Sequence, residues 1–197
     1  MPKIDIIAEA QARLEAAWIQ DRENREDGFM DLKFLAGDQW PNEIRLQREP
    51  FDAAAEAAKL TRGRTDIGAV VTFTGICRGD EAGAPIAALT LEHYPGMAEA
   101  EIERHVAEAV ARWPVSGVTV IHRFGRITPG EDIVLVVTAS SHRAAAFAAA
   151  EFLMDYLKTR APFWKQVEKT GAKTWVEAKA ADDTAAGRWQ KDKQAAE

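Results

Sequence analysis

The sequence carries a single cysteine, Cys77, among its 197 residues. One cysteine excludes an internal disulfide and any multi-cysteine metal site, and it fits a reducing compartment. No apolar run approaches the roughly 20 residues that span a bilayer. The opening Met1-Pro2-Lys3-Ile4-Asp5-Ile6-Ile7 lacks the apolar core and small-residue cleavage site of a secretory signal, so a cytoplasmic location is expected. A basic excess is missing too: 25 Lys and Arg stand against 31 Asp and Glu, a net charge of −6. That balance gives no support to broad nucleic-acid binding, which needs a basic surface. His93, His105 and His122 show no metal-ligand spacing, Gly125–Gly130 lacks the glycine spacing of a phosphate loop, and no internal repeat is visible. What remains is an ordinary globular composition, 47% hydrophobic and 28% charged. The length suffices for one core and an appendage.

Two unlike segments follow. Residues 1–45 hold ten acidic and six basic residues. From Asp5 to Lys33 apolar residues recur at helical spacing (Ile7, Leu14, Trp18), weakened at Gly28 and ended by Gly37-Asp38-Gln39-Trp40-Pro41. Some 45 residues rarely build an independent core, so a helical extension is expected. The second segment intermixes strands and helices without a strict alternation, which predicts an α+β fold. Strands are expected at Ile67–Ile76, Ile86–His93, Val118–Phe124, Ile133–Ser140 and Lys173–Ala178. Helices are expected from Ala98 to Arg112, with Ile102, Val106 and Val110 on one face, and from Ser141 to about Arg160, with Phe147, Met154 and Leu157 along one side. Cys77–Pro85 reads as an exposed loop, and the tail from Ala180 as polar helix.

Three places hold candidate chemistry. Met154–Lys165 sets Lys158, Arg160 and Lys165 around a helix-ending Pro162 beside large aromatics. It reads either as a pocket for an anionic, ring-shaped ligand or as a helix end dressed with favourable positive charge. At Ser140-Ser141-His142-Arg143 a strand gives way to a helix that Ser141 is suited to cap. Free backbone N–H groups there favour an anion, with Arg143 adding a forked contact, or the turn is simply a capped helix with solvated side chains. Arg78 follows a strand end, where binding residues and plain surface charges both occur. Cys77 reads as a small core residue.

In order along the chain, Val70-Val71-Thr72-Phe73-Thr74-Gly75-Ile76-Cys77-Arg78, Leu89-Thr90-Leu91-Glu92-His93-Tyr94-Pro95-Gly96-Met97, Val120-Ile121-His122-Arg123, Ser141-His142-Arg143 and Met154–Lys165 resemble the catalytic (large) subunit family of molybdopterin synthase. The resemblance runs from about Ile44 to Trp189. It implies an α+β domain of α/β-hammerhead type that forms a homodimer within a heterotetramer. Each large subunit would bind a small ubiquitin-like sulfur-carrier subunit through a C-terminal Gly-Gly thiocarboxylate. Two sulfurs would pass to cyclic pyranopterin monophosphate, a small-molecule pterin substrate, with no cofactor and no metal. Lys158 would be the principal catalytic residue and Lys165 a second, with Phe73, Arg78, His142, Arg143 and Met154 matching other pocket positions. A non-catalytic, carrier-binding or dimerisation role is the alternative.

Two departures from the family stand out. In Trp175-Val176-Glu177-Ala178-Lys179 the family often has arginine last. Lys179 keeps the charge and loses the planar fork. Residues 1–44 lie outside the resemblance and look like the start of a phage portal protein, notably Asp31–Pro41, so the chain is expected to be a fusion. The expected organisation is an extension over 1–44, the catalytic domain over 45–190 and a polar tail over 191–197.

Overall fold

The computed structural model describes residues 42–81, 83–159, 162–169, 172–176 and 187–189. The expected N-terminal extension, Lys179 and the 191–197 tail lie outside them. The first sheet has the order β1-β6-β8-β2. Its centre is β6 (Val115–Arg123) and β8 (Asp132–Ser140), antiparallel to each other and buried along most of their length. Strands covered on both faces read as continuous apolar runs, as these do. The edge strand β2 (Ala69–Ile76) pairs antiparallel with β8, and β1 (Asn42–Gln47) runs parallel to β6. The Asn42 side-chain oxygen accepts the Val118 backbone N–H at 3.0 Å. Thus β1 crosses the boundary drawn between residues 44 and 45.

Each face of this sheet is covered by helix. On one side lies α1 (Ala53–Thr61), started by Asp52, whose carboxylate accepts the N–H groups of Ala54 and Ala55 at 2.9 and 3.0 Å. Its Leu60 packs over Ile121, Leu135, Val137 and Ala139. On the other side lie α2 (Met97–Arg112) and α3 (Arg143–Thr159). Ile102 and Val106 of α2 join Phe152, Leu153 and Leu157 of α3 over Val118, Val120 and Val136. Burying each such large side chain contributes about 1.5–3 kcal/mol. Thr138 on β8 donates its hydroxyl proton to the Ala146 carbonyl at 2.7 Å, tying α3 to the sheet.

The second sheet has the order β10-β9-β5-β7, all antiparallel. It comprises β5 (Ala88–His93), β7 (Gly125–Ile127), β9 (Phe163–Lys169) and β10 (Ala172–Val176). Leu89, Leu91, Ile127 and Val167 form its core with Cys77. Between β2 and β5 a two-stranded hairpin joins β3 (Asp80–Glu81) to β4 (Ala84–Pro85). The turn into β8 is held by Glu131, which accepts the Thr128 hydroxyl and N–H, both at 2.6 Å, and the Arg123 guanidinium at 3.2 Å. These contacts hold its carboxyl down at about 2.

Several expectations are corrected here. Cys77–Pro85 contains the β3–β4 hairpin. Phe147 does not share the buried side of α3; it is 62% exposed while Ala145, Ala146, Ala149 and Ala150 face the sheet. After Pro162 the chain forms β9, a strand absent from those expected from the sequence. The tail is not simply polar, because Trp189 is buried edge-on to both Trp113 and Phe152 at 5.6 Å.

Candidate functional site

Helix α3 carries candidate residues at both ends. Arg143, Phe147, Glu151, Met154 and Lys158 recur at spacings of three and four, so they form one stripe along it. At its start the turn is held by Ser140: its hydroxyl donates to the Pro114 carbonyl at 2.7 Å and accepts the His142 N–H at 3.2 Å. The capping-type contact therefore comes from Ser140, where Ser141 was expected. The Gly68 N–H donates to the Ser140 carbonyl at 3.0 Å. A Cβ on Gly68 would lie 2.3 Å from the Ser141 carbonyl oxygen, so only glycine fits this approach. His142 and Arg143 are exposed beyond that turn.

At the far end, Tyr156 and Leu157 are buried and Lys158 stands exposed in the last helical turn. Met154 is half-buried and packs against the main core. The start of β9 is fixed by Phe163, which stacks on the buried His122 ring at 4.0 Å with a 16° interplanar angle. His93 tilts against Phe124 at 4.5 Å, and Arg48 lies over the Phe124 ring at 4.6 Å. Burial pushes the His122 imidazole down to about 4, so this ring is a neutral packing element.

Two residues on β9 point back to the hairpin. Lys165 Nζ donates to Glu81 Oε2 at 3.1 Å, and Arg78 Nη2 donates to the same oxygen at 3.4 Å. Lys169 Nζ donates to the Glu81 backbone carbonyl at 3.4 Å. The fold thus joins Arg78 and Lys165, far apart in sequence, through a carboxylate that sequence reasoning treated as loop charge. Its only signal in the sequence is an acid three residues after Arg78. Phe73 sits on β2 opposite Val136, hence on the α3 side of the sheet, and is 39% exposed.

These residues do not converge within one chain. Arg143 and Lys158 are 15 positions apart on one helix, about 22 Å along its axis. The Cys77 thiol is pushed up by burial and is no nucleophile. Among the described residues no group of three or more His, Cys, Asp or Glu is arranged to hold a metal, and no helix is long and apolar enough to cross a membrane.

A family model described as MoaE protein matches residues 46–160, more than half of the chain. The chain belongs to the MoaE family. The molybdopterin synthase catalytic subunit of Mesorhizobium japonicum is 65% identical over 149 residues, 75% of this chain and 92% of that protein. That of Rhizobium meliloti is 62% identical over 151 residues, 76% of this chain and 96% of that protein. The structure of the molybdopterin biosynthesis MoaE protein from Burkholderia ambifaria superposes with a TM-score of 0.65 at 46% identity, covering 76% of this chain and 98% of that one. The MoaE match contains Phe73, Arg78, His142, Arg143, Met154 and Lys158. Lys165 and Lys179 lie beyond it, as do residues 1–45.

Proposed function

We propose that this MoaE-family chain is the catalytic subunit of a molybdopterin synthase, acting in the cytoplasm on cyclic pyranopterin monophosphate. The observation that carries this reading is the 65% identity to a catalytic subunit of that name over 149 residues. Sulfur arrives as the C-terminal thiocarboxylate of a small ubiquitin-like carrier. At each transfer a C–S bond forms on a side-chain carbon of the pterin as the C–O bond there breaks and its oxygen leaves. The carrier's acyl C–S bond is cleaved by water, which returns the carrier terminus to a carboxylate. Two such transfers complete the dithiolene. Both reactants are anions, so the chain's part is to hold them together and offset developing charge.

Lys158 is assigned to the reacting centre, with Lys165 and Arg78 beside it and Phe73 and Met154 as apolar walls for the flat ring. His142 and Arg143, at a helix start, suit the phosphate. Because one helix holds Arg143 and Lys158 about 22 Å apart, the site is built across a homodimer. One protomer supplies His142 and Arg143, and the other supplies Lys158, Lys165 and Arg78. Lys179 stays a weaker candidate for anion contact. Residues before Asn42 are a non-catalytic extension.

The test is sulfur transfer with thiocarboxylated carrier and pterin precursor. Lys158→Ala is expected to lower turnover by about 10²–10³-fold, the scale of losing one transition-state charge contact, while carrier binding persists. Mixing Lys158→Ala with Arg143→Ala chains is expected to restore activity. Each mixed dimer holds one doubly defective site and one intact site. Absence of dithiolene from the wild-type chain refutes the activity. Mixed dimers without restored turnover refute the shared site.

A further inference from the structure

Among the described residues, Glu81 is the acidic side chain that pairs with two of the candidate cations, and its setting differs from that of a surface ion pair. The carboxylate is the sheltered member: its side chain is 12% exposed, against 32% for Lys165 and 67% for Arg78. Both cations donate to a single oxygen, Oε2, at 3.1 and 3.4 Å. Lys169 adds a third positive group against the backbone carbonyl of the same residue. Two cations therefore hold the carboxylate and a third holds the backbone of the same residue, in a chain whose net charge is −6. Arg78 is exposed and Lys165 is partly so, which leaves both donors within reach of an anion from solvent.

We propose that the Glu81 carboxylate is a built-in placeholder, occupying the space between Arg78 and Lys165 until the anionic group of a ligand takes its place. This rests on the sulfur-transfer reading above. The incoming group is an oxyanion of carboxylate or phosphate type, since the resident is a carboxylate and the donors are a guanidinium fork and an ammonium. An internal competitor lowers apparent affinity by the fraction of molecules in which the subsite is open. Partly exposed ion pairs are individually weak, so the resident is displaceable. The barrier it sets is a modest discrimination against weakly binding anions, not a block.

The experiment measures calorimetric Kd values for two ligands, cyclic pyranopterin monophosphate and the thiocarboxylated carrier, on the full chain and on Glu81→Gln. Glutamine keeps the shape and removes the competing charge. Kd for one ligand is expected to tighten about three- to tenfold. Tightening for the pterin assigns the subsite to its phosphate; tightening for the carrier assigns it to the thiocarboxylate. Glu81→Ala is expected to move Kd in the same direction, with both variants retaining the wild-type circular dichroism spectrum. Unchanged or weakened Kd for both ligands overturns the proposal and leaves Glu81 as a strut that positions Lys165. Wild-type turnover is assayed separately. Its absence would refute the sulfur-transfer reading, while the Kd comparison still decides the placeholder.

Discussion

Acidification to pH 4 should destabilise the fold through His105, by an amount that follows from its surroundings. The ring is 3% exposed and lies on Tyr156, centroids 4.0 Å apart. Arg104 Nη2, always a donor, lies 2.9 Å from Nε2, so that nitrogen accepts and Nδ1 carries the proton toward the Glu101 carbonyl at 2.7 Å. Protonating Nε2 would set the buried ring's positive charge directly against the partly buried Arg104 guanidinium. Burial first, then the Arg104 charge, push this histidine from 6.5 down to about 4, against the opposing pull of Glu101. Between those values the unfolded chain binds a proton that the folded chain refuses, so stability falls as pH drops from 6.5 to 4. The gap corresponds to about 3 kcal/mol, a large share of the 5–15 kcal/mol typical of a domain. Urea unfolding of wild type and His105→Phe at pH 7 and pH 4 checks it. Phenylalanine keeps the aromatic contact and removes the titration. Wild type should lose about 3 kcal/mol more than the variant over that interval, and contributions from carboxylates cancel in the difference. Parallel profiles would refute the assignment.

Two further outcomes are expected. Gly68→Ala drives a Cβ against the Ser141 carbonyl and must displace the backbone that presents His142 and Arg143. It should cost about 1–3 kcal/mol in urea unfolding and weaken pterin binding in the same preparation. A chain beginning at Asn42 should fold, carry out sulfur transfer and bind carrier like the full chain. One beginning at Arg45 should unfold more readily, because it loses half of β1 and the side chain that accepts the Val118 N–H.

Where the fold was legible, one face of an element was buried by its own pattern. Ile102 and Val106 recur at helical spacing and both end in the core, and the β-branched runs of β6 and β8 are buried strands. The misses share a cause. Strand β9 reads Phe-Trp-Lys-Gln-Val-Glu-Lys, with only Val167 buried, and exists because β5 and β10 pair with it from either side. Strand β1 owes its place to parallel pairing with β6, more than seventy residues away. Phe147 misled because α3 docks through a face of alanines, whose small side chains bring the helix close to the sheet and turn the phenylalanine outward. At the site, local sequence showed Lys158 and Arg143 as cations near helix ends, with His142 beside Arg143. The meeting of Arg78 with Lys165 depends on a contact across 84 positions, between Glu81 and Lys165, that no local pattern records.

Pairing decides which of the described cations are available to an outside anion. Arg104 is bonded to Glu101, Arg112 to Glu108, Arg126 to Glu168 and Arg188 to Asp155, so most guanidinium groups are committed within the chain. With acids in excess, 31 to 25, a cation on a helix surface ordinarily finds a carboxylate. Arg143 and Lys158 find none among the described residues, although Glu151 shares their stripe on α3. Arg62 and Lys173 are equally unpaired, so lack of a partner alone does not define a site. What separates the candidates is position: Arg143 stands where α3 presents free N–H groups, and Lys158 stands where α3 gives way to the strand bearing Lys165. Lys165 in turn, together with Arg78, already holds an anion, Glu81. A site assembled from these groups therefore offers two kinds of grip, open cations at the ends of α3 and an occupied pair at the hairpin. On the placeholder proposal, one anionic reactant is held at once by the open cations, and the other displaces the Glu81 carboxylate to enter.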